Sequence, residues 1–232
     1  MKRLTLALAA AGAFLMLARA GAEPTTKPAP AAPAASGPLA VLDADRAALK
    51  SLVMVADIET PKSGNRWSKF PMNFEYAAPN KYRSEIKTGG FEGDLIAVAD
   101  GEFIWSYPTK TKKVTKIQQA LVVESIKENG PNDLLTVLAT PTLTFTSLFN
   151  LKGSSTDSGL PVLEVTPKIS VKDYDKIMLT TSADGKTPVF AVAWKGAKII
   201  ARVSFTKYER NAAVSADHFV FTVPAGVTLI EK

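Results

Sequence analysis

Phe70-Pro71-Met72-Asn73-Phe74-Glu75-Tyr76 is the stretch on which the fold turns. Its large apolar side chains, at 70, 72, 74 and 76, alternate with Pro71, Asn73 and Glu75, and a repeat of two is the period of a strand with one apolar face.

The same chemistry continues on the C-terminal side. Strands are expected at Tyr82–Lys87, Leu95–Ala99, Phe103–Tyr107 and Val114–Ile117, separated by Gly89-Gly90, by Asp100-Gly101 and by a lysine-rich turn. Asp-Gly between apolar runs favours a tight hairpin, because both residues tolerate positive φ. The pattern then changes: Ala120–Glu128 and Pro131–Ala139 read as helices, and the threonine-rich apolar stretch Pro141–Leu151 interrupts the sheet. Strands resume at Val162–Thr166, Lys176–Thr181, Val189–Trp194, Ile199–Lys207 and Phe219–Val223, with turns at Asp184-Gly185 and Lys195-Gly196. On the N-terminal side, Leu42, Ala48, Leu49, Leu52 and Val53 recur at near-helical spacing, predicting a short amphipathic helix over Val41–Val55 that gives way to a strand near Val55–Glu59.

Links this short impose antiparallel pairing. A single sheet of about ten strands curls strongly, and its concave apolar face needs a cover. The midchain helices are the candidates.

Composition bounds the rest. The 232 residues include no cysteine, which removes disulfides, thiolate metal sites, a cysteine nucleophile and a lipidated N-terminal cysteine together. Residues 1–22 place Lys2 and Arg3 before an apolar run from Leu4 to Leu17 and end in Ala18-Arg19-Ala20-Gly21-Ala22, the plan of a secretory signal peptide cleaved after Ala20 or Ala22. An apolar run of about 14 residues is too short to span a bilayer. Residues 23–38 are rich in Pro, Ala, Thr and Ser and are expected to form a disordered linker, leaving 39–232 as one domain. The formal charge is +6, but with the leader's three basic residues removed 25 basic residues face 22 acidic ones. That small excess, with its lysines scattered, argues against nucleic acid.

No constellation points to catalysis. His218, the sole histidine, has no nucleophile beside it in the sequence and reads as a surface residue. Asp173 and Asp175 flank Tyr174 without further ligand-spaced residues, so no metal and no cofactor is expected. Lys110, Lys112, Lys113 and Lys116 form a basic patch that reads as a solvated turn. The chain is not expected to be an enzyme.

Four segments carry a family resemblance. Val98-Ala99-Asp100-Gly101-Glu102-Phe103-Ile104-Trp105-Ser106-Tyr107-Pro108 resembles the signature segment of periplasmic outer-membrane lipoprotein carriers. Ala78-Pro79-Asn80-Lys81-Tyr82, Thr166-Pro167-Lys168 and the segment from Phe219 to Val227 follow in the same family order, so the likeness runs from Val41 to Ile230. It implies an α+β chain, mainly β: an incomplete antiparallel barrel of about ten to eleven strands with an N-terminal helix and a helical lid over an apolar cavity. It also implies a monomeric carrier that takes acylated lipoproteins, or lipids, from an inner-membrane ABC transporter complex to an outer-membrane receptor. One position departs from the family: carriers of the best-known type hold the lid with an arginine just before the Pro-Asn pair, where this chain has Ala78, and Arg83 is the expected substitute.

A lipoprotein's acyl chains expose dozens of methylenes, each opposing transit through water by about 0.8 kcal/mol. The expected acyl-binding wall is Phe70, Met72, Phe74, Tyr76, Trp105 and Tyr107, and the lid's inner surface is Leu121, Val122, Ile126, Leu134, Leu135 and Leu138. Two other readings use the same fold: a carrier of a phospholipid or glycolipid, and a module that senses lipoproteins.

Overall fold

The computed structural model describes residues 38–232, apart from 63, 64, 91, 133 and 141. The proposed signal peptide and nearly all of the linker lie outside the described residues. Helix α1 (Pro38–Ala47) leads into a meander of six strands: β1 (Ser51–Pro61), β2 (Trp67–Ala77), β3 (Lys81–Ile86), β4 (Leu95–Ala99), β5 (Phe103–Pro108) and β6 (Lys113–Gln118). Three helices follow, α2 (Gln119–Asn129), α3 (Leu134–Ala139) and α4 (Phe145–Leu148). A second meander comprises β7 (Phe149–Ser155), β8 (Pro161–Pro167), β9 (Lys176–Thr181), β10 (Pro188–Lys195) and β11 (Lys198–Arg210), and the chain closes with a 3-10 turn at Ala216–Phe219 and β12 (Thr228–Glu231).

The twelve strands of the described residues form one sheet, in the order β12-β6-β5-β4-β3-β2-β1-β11-β10-β9-β8-β7. The two meanders join at its centre, where β1 pairs antiparallel with β11. This is the open, antiparallel-dominated barrel expected, with one strand more than foreseen. The order also dictates where the lid goes. The chain leaves the sheet at β6, near one edge, and re-enters at β7, the opposite edge, so α2 to α4 must bridge the concavity between them.

Strict alternation along β1, whose even-numbered side chains from Leu52 to Thr60 are buried, sets one face of the sheet against the lid. Small side chains floor the trough on the central strands: Ala56, Ala97, Ala99, Ala191, Ala193 and Ala201 are all buried. Met72, Phe74, Tyr76 and Tyr82 stand around them, and Leu135, Val137, Leu143, Phe145 and Leu148 descend from the lid into the same cluster.

Four sequence expectations are corrected. The helix of Val41–Val55 ends at Ala47, because Leu52, Met54, Ala56 and Ile58 follow a period of two and the long β1 claims them. Pro141–Leu151 is not a mere interruption: a short helix capped by the Thr144 hydroxyl is followed by edge strand β7. Phe219–Val223 is not a strand, since it pairs with no other strand among the described residues and its alternation reflects packing of an extended segment on the sheet's outer face. The pairing is not wholly antiparallel either, as β12 lies parallel to β6.

Candidate functional site

The site to be judged is the trough and its cover. Met72, Phe74 and Tyr76 stand on the concave wall, each no more than 3% exposed, and Phe70 packs partly buried against the same cluster. Trp105 and Tyr107 stand elsewhere. In β5 it is Ile104 that points into the trough, so its neighbours at 103, 105 and 107 face outward. There Trp105 stacks on Phe221 at 5.5 Å between ring centroids, and Tyr107 meets the same ring edge-on at 6.1 Å.

The signature turn explains this placement. The Asp100 carboxylate accepts hydrogen bonds from the backbone N–H groups of Glu102 (2.9 Å) and Phe103 (2.8 Å) and from Trp105 Nε1 (2.8 Å). Partial burial opposes charging of Asp100, but the hydrogen bonds from Phe103, Trp105 and Glu102 outweigh it and hold its pKa below the ordinary carboxylate value. One carboxylate thus closes the β4–β5 hairpin and fixes the indole on the outer face.

Of the expected lid residues, Leu135 (1% exposed) and Ile126 (2%) lie in the core, and Val122 packs against it. Leu121 is 45% exposed and faces away. Leu134 and Leu138 belong to α3, but their side chains lie outside the described residues. Leu143, Phe145 and Leu148, from the stretch read as an interruption, are buried in the trough with them.

One set of polar ties on the lid comes from α1, through two residues that the sequence does not set apart. Arg46, 4% exposed, donates from Nη1 to the Val137 carbonyl of α3 at 2.7 Å, and its guanidinium lies over the Phe145 ring at 5.2 Å. Burial pulls the Arg46 pKa down, with the nearby Asp43 carboxylate opposing the shift. Asp43 caps α4, accepting from Phe145 N at 2.6 Å and from Thr146 N at 3.0 Å. Asp45 is ion-paired with Arg210, which ties α1 to β11. Arg83, the expected lid residue, is on the outer face instead, donating to Glu85 Oε1 at 2.6 and 2.8 Å and to the His218 carbonyl at 3.3 Å. A buried charge on an amphipathic helix leaves no mark in a sequence that distinguishes it from an exposed one, and Arg46 is such a charge.

The lid's other anchor sits between α2 and α3. Gly130 has φ 83°, and a Cβ there would lie 2.8 Å from Val171 Cγ1 and 2.9 Å from the Ile169 carbonyl oxygen. Next to it, the buried Tyr174 hydroxyl donates to the Pro131 carbonyl at 2.9 Å. Among the described residues no group of His, Asp and Glu is placed to hold a metal ion.

No protein-family model matches the chain. It is 26% identical over 175 residues to an outer-membrane lipoprotein carrier protein of Albidiferax ferrireducens, covering 68% of this chain and 72% of that one. A second protein of that name, from Methylibium petroleiphilum, is 27% identical over 167 residues, covering 69% and 72%. Among solved structures, an uncharacterized conserved protein from Thermus thermophilus superposes with a TM-score of 0.51 at 11% identity, over 83% of this chain and 99% of the other, a likeness of fold alone. In sequence, the chain with this lidded half-barrel is similar to outer-membrane lipoprotein carrier proteins.

Proposed function

We propose that the protein is a periplasmic carrier that takes acyl chains of lipoproteins into the trough beneath its lid and moves them between the inner and outer membranes. The observation that carries this reading is the construction of the core. One wall is a sheet floored by six buried alanines, and the other is a helical cover whose own leucine, valine and phenylalanine side chains fill the space. Swinging the cover away would leave a continuous apolar trough. Acyl chains entering it would replace the lid's side chains at about 25 cal/mol for each Å² of apolar surface kept from water, so loading exchanges one apolar filling for another. The similarity to lipoprotein carriers supports the cargo class.

The polar ties have the strength such an exchange needs. The charge-assisted bond from Arg46 to Val137 and the hydrogen bonds to Asp43 are each worth about 1–3 kcal/mol net, enough to keep the lid shut in water and few enough for a ligand to displace. No covalent step is required. On this reading an inner-membrane transporter complex would load the carrier, a receptor at the outer membrane would unload it, and each would act by moving the lid.

The test is to express the chain with its own N-terminal segment, recover it from the periplasm without detergent, and weigh it by native mass spectrometry. A triacylated lipoprotein bound one to one supports the reading, and Leu135→Glu, which sets a charge on the lid's buried side, abolishes the adduct. A bound phospholipid would replace the cargo, and a protein that stays empty in lipoprotein-rich cells contradicts the proposal.

A further inference from the structure

A second feature lies at the turn end of the central strands, with no lid residue in its lining. The hairpins β1–β2 and β10–β11 come together there around a groove of about 780 Å³ lined by Arg66, Trp67, Trp194, Lys198, Ile199 and Ile200, among others. Register brings the two indoles to the hairpin ends: Trp67 pairs with Pro61, and Trp194 with Ile199 across a β-bulge. Each indole carries a cation, Arg202 over Trp67 at 4.1 Å and Lys176 by Trp194 at 5.7 Å. Trp194 Nε1 is buried and meets no acceptor among the described residues, a state that an incoming acceptor would relieve.

Charge is distributed unevenly around this groove. The turn segments 62–66 and 195–198 contain Lys62, Arg66, Lys195 and Lys198 and no acidic residue. Asp175 neutralises Lys195, bonding its Nζ at 2.7 Å and the neighbouring Gly196 N at 2.6 Å, and so fixes the turn. Lys62, Arg66 and Lys198 are exposed, and among the described residues no carboxylate is paired with any of them. The carboxylates on the neighbouring strands face other cations: Glu59 lies opposite Lys69 and Arg202 in the ladder, Asp57 binds Lys69 and Glu164 binds Lys176.

Indoles with an apolar body and a polar edge, aliphatic side chains beneath them and unpaired cations at the rim are the chemistry that settles at the boundary of a bilayer carrying negative headgroups. The cations would pair with phosphate, the Trp194 N–H would find an acceptor, and Ile199 would face the acyl boundary. A groove of this volume suits a headgroup. We propose that this groove is a docking site for anionic phospholipid headgroups, seating the two hairpin tips on a membrane surface while the trough keeps its separate role.

Flotation with vesicles tests this. The protein recovered from the periplasm is mixed with vesicles of phosphatidylglycerol and phosphatidylethanolamine, or of phosphatidylcholine alone. All variants share one N terminus, so any contribution of residues 1–22 is common to them. The expected result is binding to the anionic vesicles alone, weakened by salt. Each cation at an anionic surface is worth about fivefold in partition, so R66A/K198A lowers binding roughly 25-fold, while R66K/K198R retains it. Both changes lie at exposed hairpin positions, so an unchanged melting curve separates lost docking from lost fold. Equal binding to both vesicle types, or anionic binding undiminished in R66A/K198A, overturns the proposal. So does saturation by glycerol phosphate in solution without vesicle binding, which would make the groove a small-anion site. None of these outcomes depends on whether lipoprotein fills the trough.

Discussion

The same sheet is covered twice, and the two covers are fastened differently. On the concave face, helices α2 to α4 press aliphatic and phenylalanine side chains into a floor of alanines, held at the rim by Arg46 and Asp43. On the outer face, the C-terminal segment lies on Trp105 and Tyr107 through Phe221, His218 Nδ1 sits 2.6 Å from Glu75 Oε2, and β12 extends the ladder beside β6. The outer cover is bound by specific stacking and by backbone pairing, which few ligands can imitate. The inner one is bound by non-directional apolar contact plus a handful of polar ties, which on the proposed function an acyl chain would replace. On the proposed function, the difference marks the concave side as the side that opens.

Four substitutions probe this contrast, in descending order of effect. Phe74→Ala removes from the concave wall a buried ring of β2 that stacks on Tyr82 at 6.0 Å. It is expected to lower global stability by about 3–5 kcal/mol in urea unfolding. Arg46→Ala removes the shorter of two hydrogen bonds to the Val137 carbonyl, leaving only that from Thr140 N at 3.4 Å, and is expected to loosen the lid by about 2 kcal/mol. Hydrogen exchange should show it, with faster exchange in α3 and α4 and little change in β1 and β2. An equal loss throughout the sheet would mean that the lid is not a separable unit.

Asp100→Asn weakens the signature turn by about 1–2 kcal/mol, and its effect has a sign in pH. Because hydrogen bonding holds the folded Asp100 pKa below its unfolded value, the wild-type advantage is complete above the ordinary carboxylate value and fades as pH falls through the lower, folded one. Paired thermal melts at neutral and strongly acidic pH would show the two proteins converging in acid. Phe221→Ala is expected to have the smallest effect, about 1 kcal/mol from lost stacking, and to leave the acyl-bound fraction unchanged. A fall in that fraction would assign the outer face a part in binding.

Much of the fold could be read from residue order because strand alternation and hairpin turns are local. Leu95–Ala99 and Lys176–Thr181 fall where alternation put them, and Asp100-Gly101 makes its hairpin. What escaped depends on distant partners. Alternation assigns Ile104 and Trp105 to opposite faces without saying which face is concave, and here the larger aromatic went outward because Asp100 and Phe221 hold it there. Phe219–Val223 alternates like a strand yet finds no ladder, and β12 pairs with β6 from more than a hundred residues away. The Arg46 tie depends on an α1 placement that only the folded chain reveals.

The most direct test of the central claim is hydrogen exchange of the protein with and without a triacylated lipopeptide. If acyl chains enter beneath the lid, amides of α2 to α4 change their exchange on binding, the concave strands β1 to β3 gain protection, and the C-terminal segment over Trp105 is unaffected. Binding that protects only the outer face, or that leaves α2 to α4 unchanged, would contradict the account.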